Sequence, residues 1–456
     1  MTVVTAQTKQ ETQIQAETLV VGLGASGLSV LRFLRARGES VVVTDSRANP
    51  PGRDELARDF VDVPATLGGF DAAWFTQARQ LIVSPGVAVS EPLIEAARAR
   101  GAEIIGDIEL FARHARAPVL AITGSNGKST VTTLLGEMAA DAGRTVRVGG
   151  NIGRPALDLL SDSEPDLYIL ELSSFQLETT HSLDAAVAVV LNISPDHMDR
   201  YPSVSAYAAS KQRIYHGHGV MVVNCDDPTV VAMQVPGRKT VGFTLGRPLA
   251  SDFGILERDG ERWLAKGQMP LMPVRELRMA GRHNQANALA ALAVGETVGL
   301  SIAAMLTTLR RFTGLRHRTQ WVAEVDGVRW YNDSKGTNVG ATLAAIEGLD
   351  GPLVLIAGGQ GKGADFVSLR TALAGKGRAA VLMGEAADII ELSLDGVVPV
   401  QRAGDMADAV ARARVLAQPG DVVLLSPACA SFDMFDGFKA RGDAFILAVR
   451  ALEEPS

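Results

Sequence analysis

Three consecutive α/β sections, each a largely parallel sheet with helices packed on it, are what this sequence predicts. Three observations carry the expectation. Short apolar runs alternate with helical periods along the chain, which is the signature of βαβ units. Two glycine-rich turns, Gly22-Leu23-Gly24-Ala25-Ser26-Gly27 and Gly124-Ser125-Asn126-Gly127-Lys128-Ser129-Thr130, each follow an apolar run and open a helical period. The length of 456 residues exceeds one ordinary domain of roughly 100–200 residues. The pattern restarts twice. We therefore expect a loose tail over 1–17, a dinucleotide-type section over 18–106, a phosphate-loop section over 107–313 and a third open α/β section over 314–456.

Composition narrows the function. Apolar residues make up 47% of the chain and aromatic ones only 5%, a balance that suits small-residue helices on parallel strands. The net charge of -7 leaves no basic footprint for nucleic acid, so a phosphate-bearing partner must be met at a local site. Cys225 and Cys429 stand far apart, giving neither a disulfide framework nor a thiolate metal site. Both read as small buried hydrophobes in a reducing compartment. The Gln- and Thr-rich start lacks the blocks of a signal peptide. The apolar run Leu19–Leu31 is too short to span a bilayer, and no membrane anchor is expected.

In the first section the strand-like run Leu19–Gly22 leads into Gly-x-Gly-x-x-Gly. Asp45 closes the next run at about the spacing of a ribose-binding carboxylate. Taken alone, this is a dinucleotide fingerprint and points toward a nicotinamide-dependent oxidoreductase.

The second section opens with a helical linker, Asp107–Ala115, and the strand-like run Val119–Thr123. The turn that follows carries the strongest local signal. Its glycines let backbone N–H groups close around phosphate, Lys128 adds a full charge, and the Ser129 hydroxyl can ligate Mg²⁺. The first glycine lies three positions before the second instead of five. A phosphate loop needs a carboxylate at the end of a neighbouring strand. Glu171 ends Leu167-Tyr168-Ile169-Leu170 and fits. The run Ala186–Asn192 leads to Asp196-His197-Met198-Asp199, where His197 reads equally as a second metal or phosphate contact and as a surface group. Residues 235–279, rich in Gly, Pro and charge, read as β-hairpins, and helices follow over Asn284–Leu300 and Ile302–Arg311. In the third section, polar loops at Asn332–Asn338, Gly358–Gly363 and Ser431–Phe438 should converge outside the carboxyl ends of their strands.

These residues resemble the Mur ligases. Gly124–Thr130, Glu171-Leu172-Ser173-Ser174, Asp196–Asp199 and Gly281-Arg282-His283-Asn284-Gln285-Ala286-Asn287 stand in the order of that family's central domain. Gly149-Gly150-Asn151-Ile152-Gly153 and Ser426-Pro427-Ala428-Cys429-Ala430-Ser431 extend the likeness to its glutamate-adding branch. The resemblance implies a Rossmann-like N-terminal domain that binds a UDP-linked substrate, a P-loop-type central ATPase domain and a Rossmann-like C-terminal domain that binds glutamate. It implies ATP-dependent ligation of D-glutamate to UDP-N-acetylmuramoyl-L-alanine through an acyl phosphate, for peptidoglycan synthesis in the bacterial cytoplasm, by a monomer.

The family's roles fall on this sequence as follows. Lys128, Glu171, His197 and Lys211 would be catalytic. Gly124, Ser125, Asn126, Gly127, Lys128, Ser129, Thr130, Asn284, Arg318 and Asp333 would bind ATP. Two Mg²⁺ ions would be held by Ser129, Glu171, His197 and a carbamylated Lys211. Gly24, Ala25, Ser26, Asp45, Ser46, Arg47, Ser84, Pro85, Gly86, Asn151, Ser173 and His197 would meet the UDP-linked substrate, and Lys335, Thr337, Lys362, Ser431 and Phe438 the glutamate. By its own residues Lys211 reads as a solvated helix lysine, Asn284 as a helix N-cap and Arg318 as a surface ion pair.

Gln360 stands where Asp is usual in the family, Gly336 where Ala is usual, and Lys439-Ala440 where a carboxylate often precedes Arg441. These departures bear on which amino acid is added, leaving L-glutamate or another amino acid open. Rival readings are a folylpolyglutamate-synthetase-like ligase, the oxidoreductase and a nucleotide-binding regulatory module without turnover.

Overall fold

Three sheets carry the chain. The computed structural model describes residues 17–160, 163–279 and 281–452. The expected tail over 1–17 lies, apart from Glu17, outside the described residues.

The first sheet holds β1 (Thr18–Val21), β2 (Val41–Asp45), β3 (Ala65–Leu67), β4 (Gln80–Val83) and β5 (Glu103–Ile105), all parallel, in the order β3-β2-β1-β4-β5. Its central strands are apolar and buried along their length, as strands covered on both faces must be. The strand order reverses between β1 and β4, where ligands of such sheets bind.

The second sheet holds β6 (Val119–Thr123), β7 (Val146–Gly150), β8 (Leu167–Glu171), β9 (Val187–Val190), β10 (Val220–Asn224), β11 (Thr240–Phe243), β12 (Phe253–Arg258), β13 (Glu261–Lys266) and β14 (Met269–Pro273). Their order is β14-β13-β12-β11-β10-β9-β6-β8-β7. The expected hairpins are β12-β13-β14, paired antiparallel. The helices Lys128–Asp141 and Arg282–Thr297 bury Val131, Leu134, Leu135 and the Ala- and Leu-rich stretch Ala288–Val294 in one core with the strands.

The third sheet holds β15 (Gln320–Val325), β16 (Val328–Asn332), β17 (Leu353–Gly358), β18 (Gly377–Met383), β19 (Val400–Arg402) and β20 (Val422–Leu425), ordered β15-β16-β20-β17-β18-β19. Only β15 runs antiparallel. Strands β16, β20 and β17 are therefore neighbours, and the three polar loops leave the same edge. Among the described residues, one compact unit comprises 17–116, 149–160, 163–164 and 174–183, and the other 117–148, 165–173, 184–279 and 281–452.

Two expectations are corrected. Cys225 is exposed, because it lies in the turn beyond β10 and not in the strand; Cys429 is buried as expected. Asn284 does not cap its helix, which starts at Arg282 after Gly281.

Candidate active site

The phosphate loop is built as its sequence demands. Gly127 takes φ 85° at the entry of the helix Lys128–Asp141, and a Cβ there would meet Asn287 Oδ1 at 2.4 Å, so only glycine serves. The Asn126 amide donates to Asn192 Oδ1 (2.8 Å), and Ser125 Oγ exchanges hydrogen bonds with the Ser194 backbone (2.9 and 3.0 Å). These bonds tie the turn to the segment after β9. Lys128 Nζ folds onto the loop's own carbonyls, Gly124 O at 2.8 Å and Ser125 O at 3.0 Å. Burial lowers its pKa, and Arg318 adds to the shift while Glu171 and Asp196 oppose it.

Glu171 ends β8, the strand beside β6, with Ile122 as its register partner, and is buried. Mg²⁺ takes oxygen ligands and is usually held by one or two carboxylates plus substrate phosphates. Among the described residues no group of three or more His, Cys, Asp or Glu side chains could hold a metal by itself. Glu171 and the Ser129 hydroxyl thus fit a nucleotide-borne Mg²⁺, completed by phosphate oxygens. His197 sits at φ 56°, its Nε2 3.8 Å from Asp196 Oδ2, and desolvation, then Lys211 and Lys128, lowers its pKa.

Lys211 overturns its solvated reading. It is only 2% exposed, because the helix Val204–Gln212 turns it inward, with Nζ 3.3 Å from Thr123 Oγ1 and 4.7 Å from the Tyr207 ring centre. Burial, reinforced by the like charge of Lys128, drives its pKa well below that of a free lysine. Burial thus favours the neutral amine, which is the nucleophilic form.

Arg318 and Asp333 also leave the surface. The Arg318 guanidinium donates to Ser129 Oγ at 2.7 Å. Asp333 accepts from the Thr319 amide (3.0 Å) and from Ser426 Oγ (2.7 Å), and burial raises its pKa to about 6. Lys335 lies 4.1 Å over the Phe438 ring. Burial, with the charges of Arg318 and Lys128, lowers its pKa to about 8. A cavity of about 270 Å³ is lined by Asn126, Thr130, Asn284, Asn287, Arg318 and Lys335, among others. Amides, small side chains and cations in one lining suit a nucleoside phosphate.

The three loops of the third sheet converge. Ala428 N donates to Gly336 O (2.9 Å), and Gln360 and Ala430 exchange backbone hydrogen bonds (2.9 and 3.0 Å). Arg441, whose importance the sequence reading missed, joins all three. Its buried guanidinium donates to Ser334 Oγ and O (3.0 and 2.9 Å), Cys429 O (3.1 Å), Ala430 O (3.3 Å) and Gly358 O (3.5 Å). Gly336 has a reason as well, since a Cβ would meet Asp333 Oδ2 at 2.5 Å and Ser426 Oγ at 2.7 Å. Ser431 is buried, and Lys362 projects from its loop at φ 48°.

In the first sheet, Gly24, Ala25 and Ser26 open the helix Ala25–Ala36 at the end of β1. Gly27 is obligatory, because a Cβ would lie 1.9 Å from Gly22 O. Ser84, which leads into Pro85 and Gly86 after β4, donates to Gly22 O at 2.8 Å. Asp45 accepts from the Leu23 amide (2.7 Å) and from the Arg47 guanidinium (2.9 and 2.7 Å). The Asp45-Ser46-Arg47 turn is thereby fixed beside the glycine-rich turn. Asn151 follows β7 in the same unit, while Ser173 and His197 belong to the other.

Comparison with known proteins follows the same order. Residues 16–106 match the N-terminal domain of MurD-like Mur ligases, residues 122–295 the Mur ligase middle domain, and residues 317–429 the Mur ligase glutamate ligase domain. The chain is 59% identical to a UDP-N-acetylmuramoylalanine–D-glutamate ligase of Nitrosococcus oceani, over 96% of this chain and 98% of that one. It is 55% identical to the enzyme of that name from Pseudomonas fluorescens, over 95% and 98%. The structure of MurF from Acinetobacter baumannii superposes with a TM-score of 0.60 at 17% identity, covering 95% and 92% of the two chains, which shows the shared fold. The glycine-rich turn of the first sheet thus lies in a Mur ligase domain, and the chain belongs to the Mur ligase family.

Proposed function

We propose that this protein joins D-glutamate to UDP-N-acetylmuramoyl-L-alanine, with ATP converted to ADP and phosphate, during peptidoglycan synthesis in the bacterial cytoplasm. The observation that carries the reading is a cavity lined by Arg318 and Lys335 together with Asn126, Gly127 and Thr130 of the glycine-rich turn, with Lys128 in electrostatic reach of both cations. Such a cluster of cations suits a polyphosphate. The name of the 59% identical relative supports the choice of substrates.

ATP supplies the phosphoryl group that turns the alanyl carboxylate into an acyl phosphate. Lys128 and Arg318 orient the phosphates and offset the charge that gathers in transfer. Glu171 and Ser129 would hold one Mg²⁺. His197 and Lys211, carbamylated by attack of its neutral amine on CO₂ with loss of a proton, would hold a second. The carbamate adds the oxygen ligands that an amine cannot offer. Lys335, Thr337, Lys362, Ser431 and Phe438 receive the amino acid, whose two carboxylates require full positive charge plus neutral donors. Gly24–Ser26, Asp45–Arg47, Ser84–Gly86 and Asn151 meet the UDP-linked substrate. No helix among the described residues is long and apolar enough to cross a membrane, and we propose that the protein acts as a monomer.

Phosphate release measured with each substrate omitted in turn tests the reading. Release should require the UDP-linked alanyl substrate and D-glutamate together. Release with folates, or equal release with L-glutamate, would overturn it.

A further inference from the structure

We infer that Asn338 is a positioning residue that latches the loop carrying Lys335 and Thr337 onto the phosphate loop. The inference rests on the reading of that loop as part of the amino-acid pocket. Asn338 caps the helix Val339–Gly348, its Oδ1 accepting from the Ala341 amide at 2.8 Å. A cap needs only an acceptor, which Asp or Ser supplies equally well. An amide also donates. Asn338 Nδ2 spends that capacity on Asp196 Oδ2 at 3.1 Å and on Asn126 Oδ1 of the phosphate loop at 3.4 Å.

The surroundings support a built contact. A Cβ on Gly340 would meet Ser194 Oγ at 2.7 Å, so the helix start is pressed against the segment already bonded to Ser125 of the phosphate loop. The same short stretch therefore carries the pocket residue Thr337, the latch Asn338 and the glycine that permits close approach. A phosphate loop in place sets the position of Asp196 and Asn126, and through Asn338 it sets the loop that receives the amino acid. The amino-acid pocket is thus completed where the nucleotide binds.

Asn338→Asp provides the test, because it keeps the volume and the cap but removes the donor and sets a second carboxylate against Asp196. The full chain should stay folded by circular dichroism, and kcat/KM for D-glutamate should fall roughly ten- to hundredfold, the scale of a lost charge-assisted hydrogen bond. The KM for the UDP-linked substrate should stay at the wild-type value. Asn338→Ser, which keeps the cap without adding charge, should show a smaller loss of the same kind. In the double variant N338D/D196N the amide and carboxylate exchange places, and its loss should be less than the product of the two single losses. Wild-type kcat/KM in N338D, or losses that multiply independently in the double variant, would overturn the latch. A Lys362→Ala variant run alongside separates the two ideas: an unchanged KM for glutamate there removes the pocket reading itself.

Discussion

The Arg318 guanidinium reaches back 189 residues along the chain to donate a 2.7 Å hydrogen bond to the Ser129 hydroxyl of the phosphate loop. A fixed, always charged fork is thereby held beside the group that would ligate Mg²⁺. Arg318→Ala should lower kcat by about 10²-fold or more, as loss of a preorganised charge does, with the fold intact by circular dichroism. Turnover near wild type at saturating substrates would remove Arg318 from the chemistry.

The Lys128 ammonium bonds only the carbonyls of its own loop among the described hydrogen bonds, so Lys128→Ala should abolish ligation without unfolding the protein. A drop of about 10²–10³ or more in phosphate release is expected. Glu171→Ala should also suppress activity and recover in part at raised Mg²⁺. A Lys128→Ala enzyme that still turned over normally would refute the ATP reading.

Burial of Lys211 favours its neutral amine, the form that captures CO₂. Lys211→Ala should be nearly inactive and should regain activity with a small added carboxylate. Native protein equilibrated with labelled bicarbonate should show one carbamate signal that this variant lacks. Absence of that signal from fully active enzyme would rule out the modification.

Lys362 is exposed on the loop after β17, which backbone hydrogen bonds between Gln360 and Ala430 join to the loop after β20. Lys362→Ala should raise the KM for glutamate at least about tenfold, the scale of a lost charged contact, and leave the KM for ATP nearly unchanged. Steady-state kinetics with each substrate varied decides the matter, and a change confined to ATP would reassign the residue.

Acid stability has its own reporter in Glu109. Burial alone would raise its pKa. The Ser182 and His181 amides, the Ser182 hydroxyl and Arg113, at 2.7 to 2.9 Å, outweigh burial and hold it at about 2. The folded pKa lies below the unfolded one, so the stabilisation is complete above about pH 4.5 and is lost as the pH falls toward 2. Glu109→Gln should cost about 2–3 kcal/mol in urea unfolding at pH 7, a gap that narrows below pH 4.5. A gap independent of pH would assign the loss to packing instead.

What the sequence determined by itself was whatever contiguous backbone encodes. The phosphate loop was legible because its glycines, Lys128 and the following helix are neighbours in the chain. Glu171 and the three loops of the third sheet were legible because a strand end fixes where a ligand can sit. Only the tertiary structure decided the rest. Lys211 read as solvated until packing set it against Thr123, 88 residues away. Arg441 entered the sequence reading only as the neighbour of Lys439-Ala440, and its guanidinium joins loops from β16, β17 and β20 only in the packed chain. Asn338 read as part of a polar turn, and its cap could have been filled by several residues. Its need for an amide appears only where Asp196 and Asn126 stand opposite. The division follows from the physics: φ and ψ preferences and turn chemistry act over a few residues, whereas desolvation and the pairing of buried polar groups depend on neighbours that only the packed chain brings together.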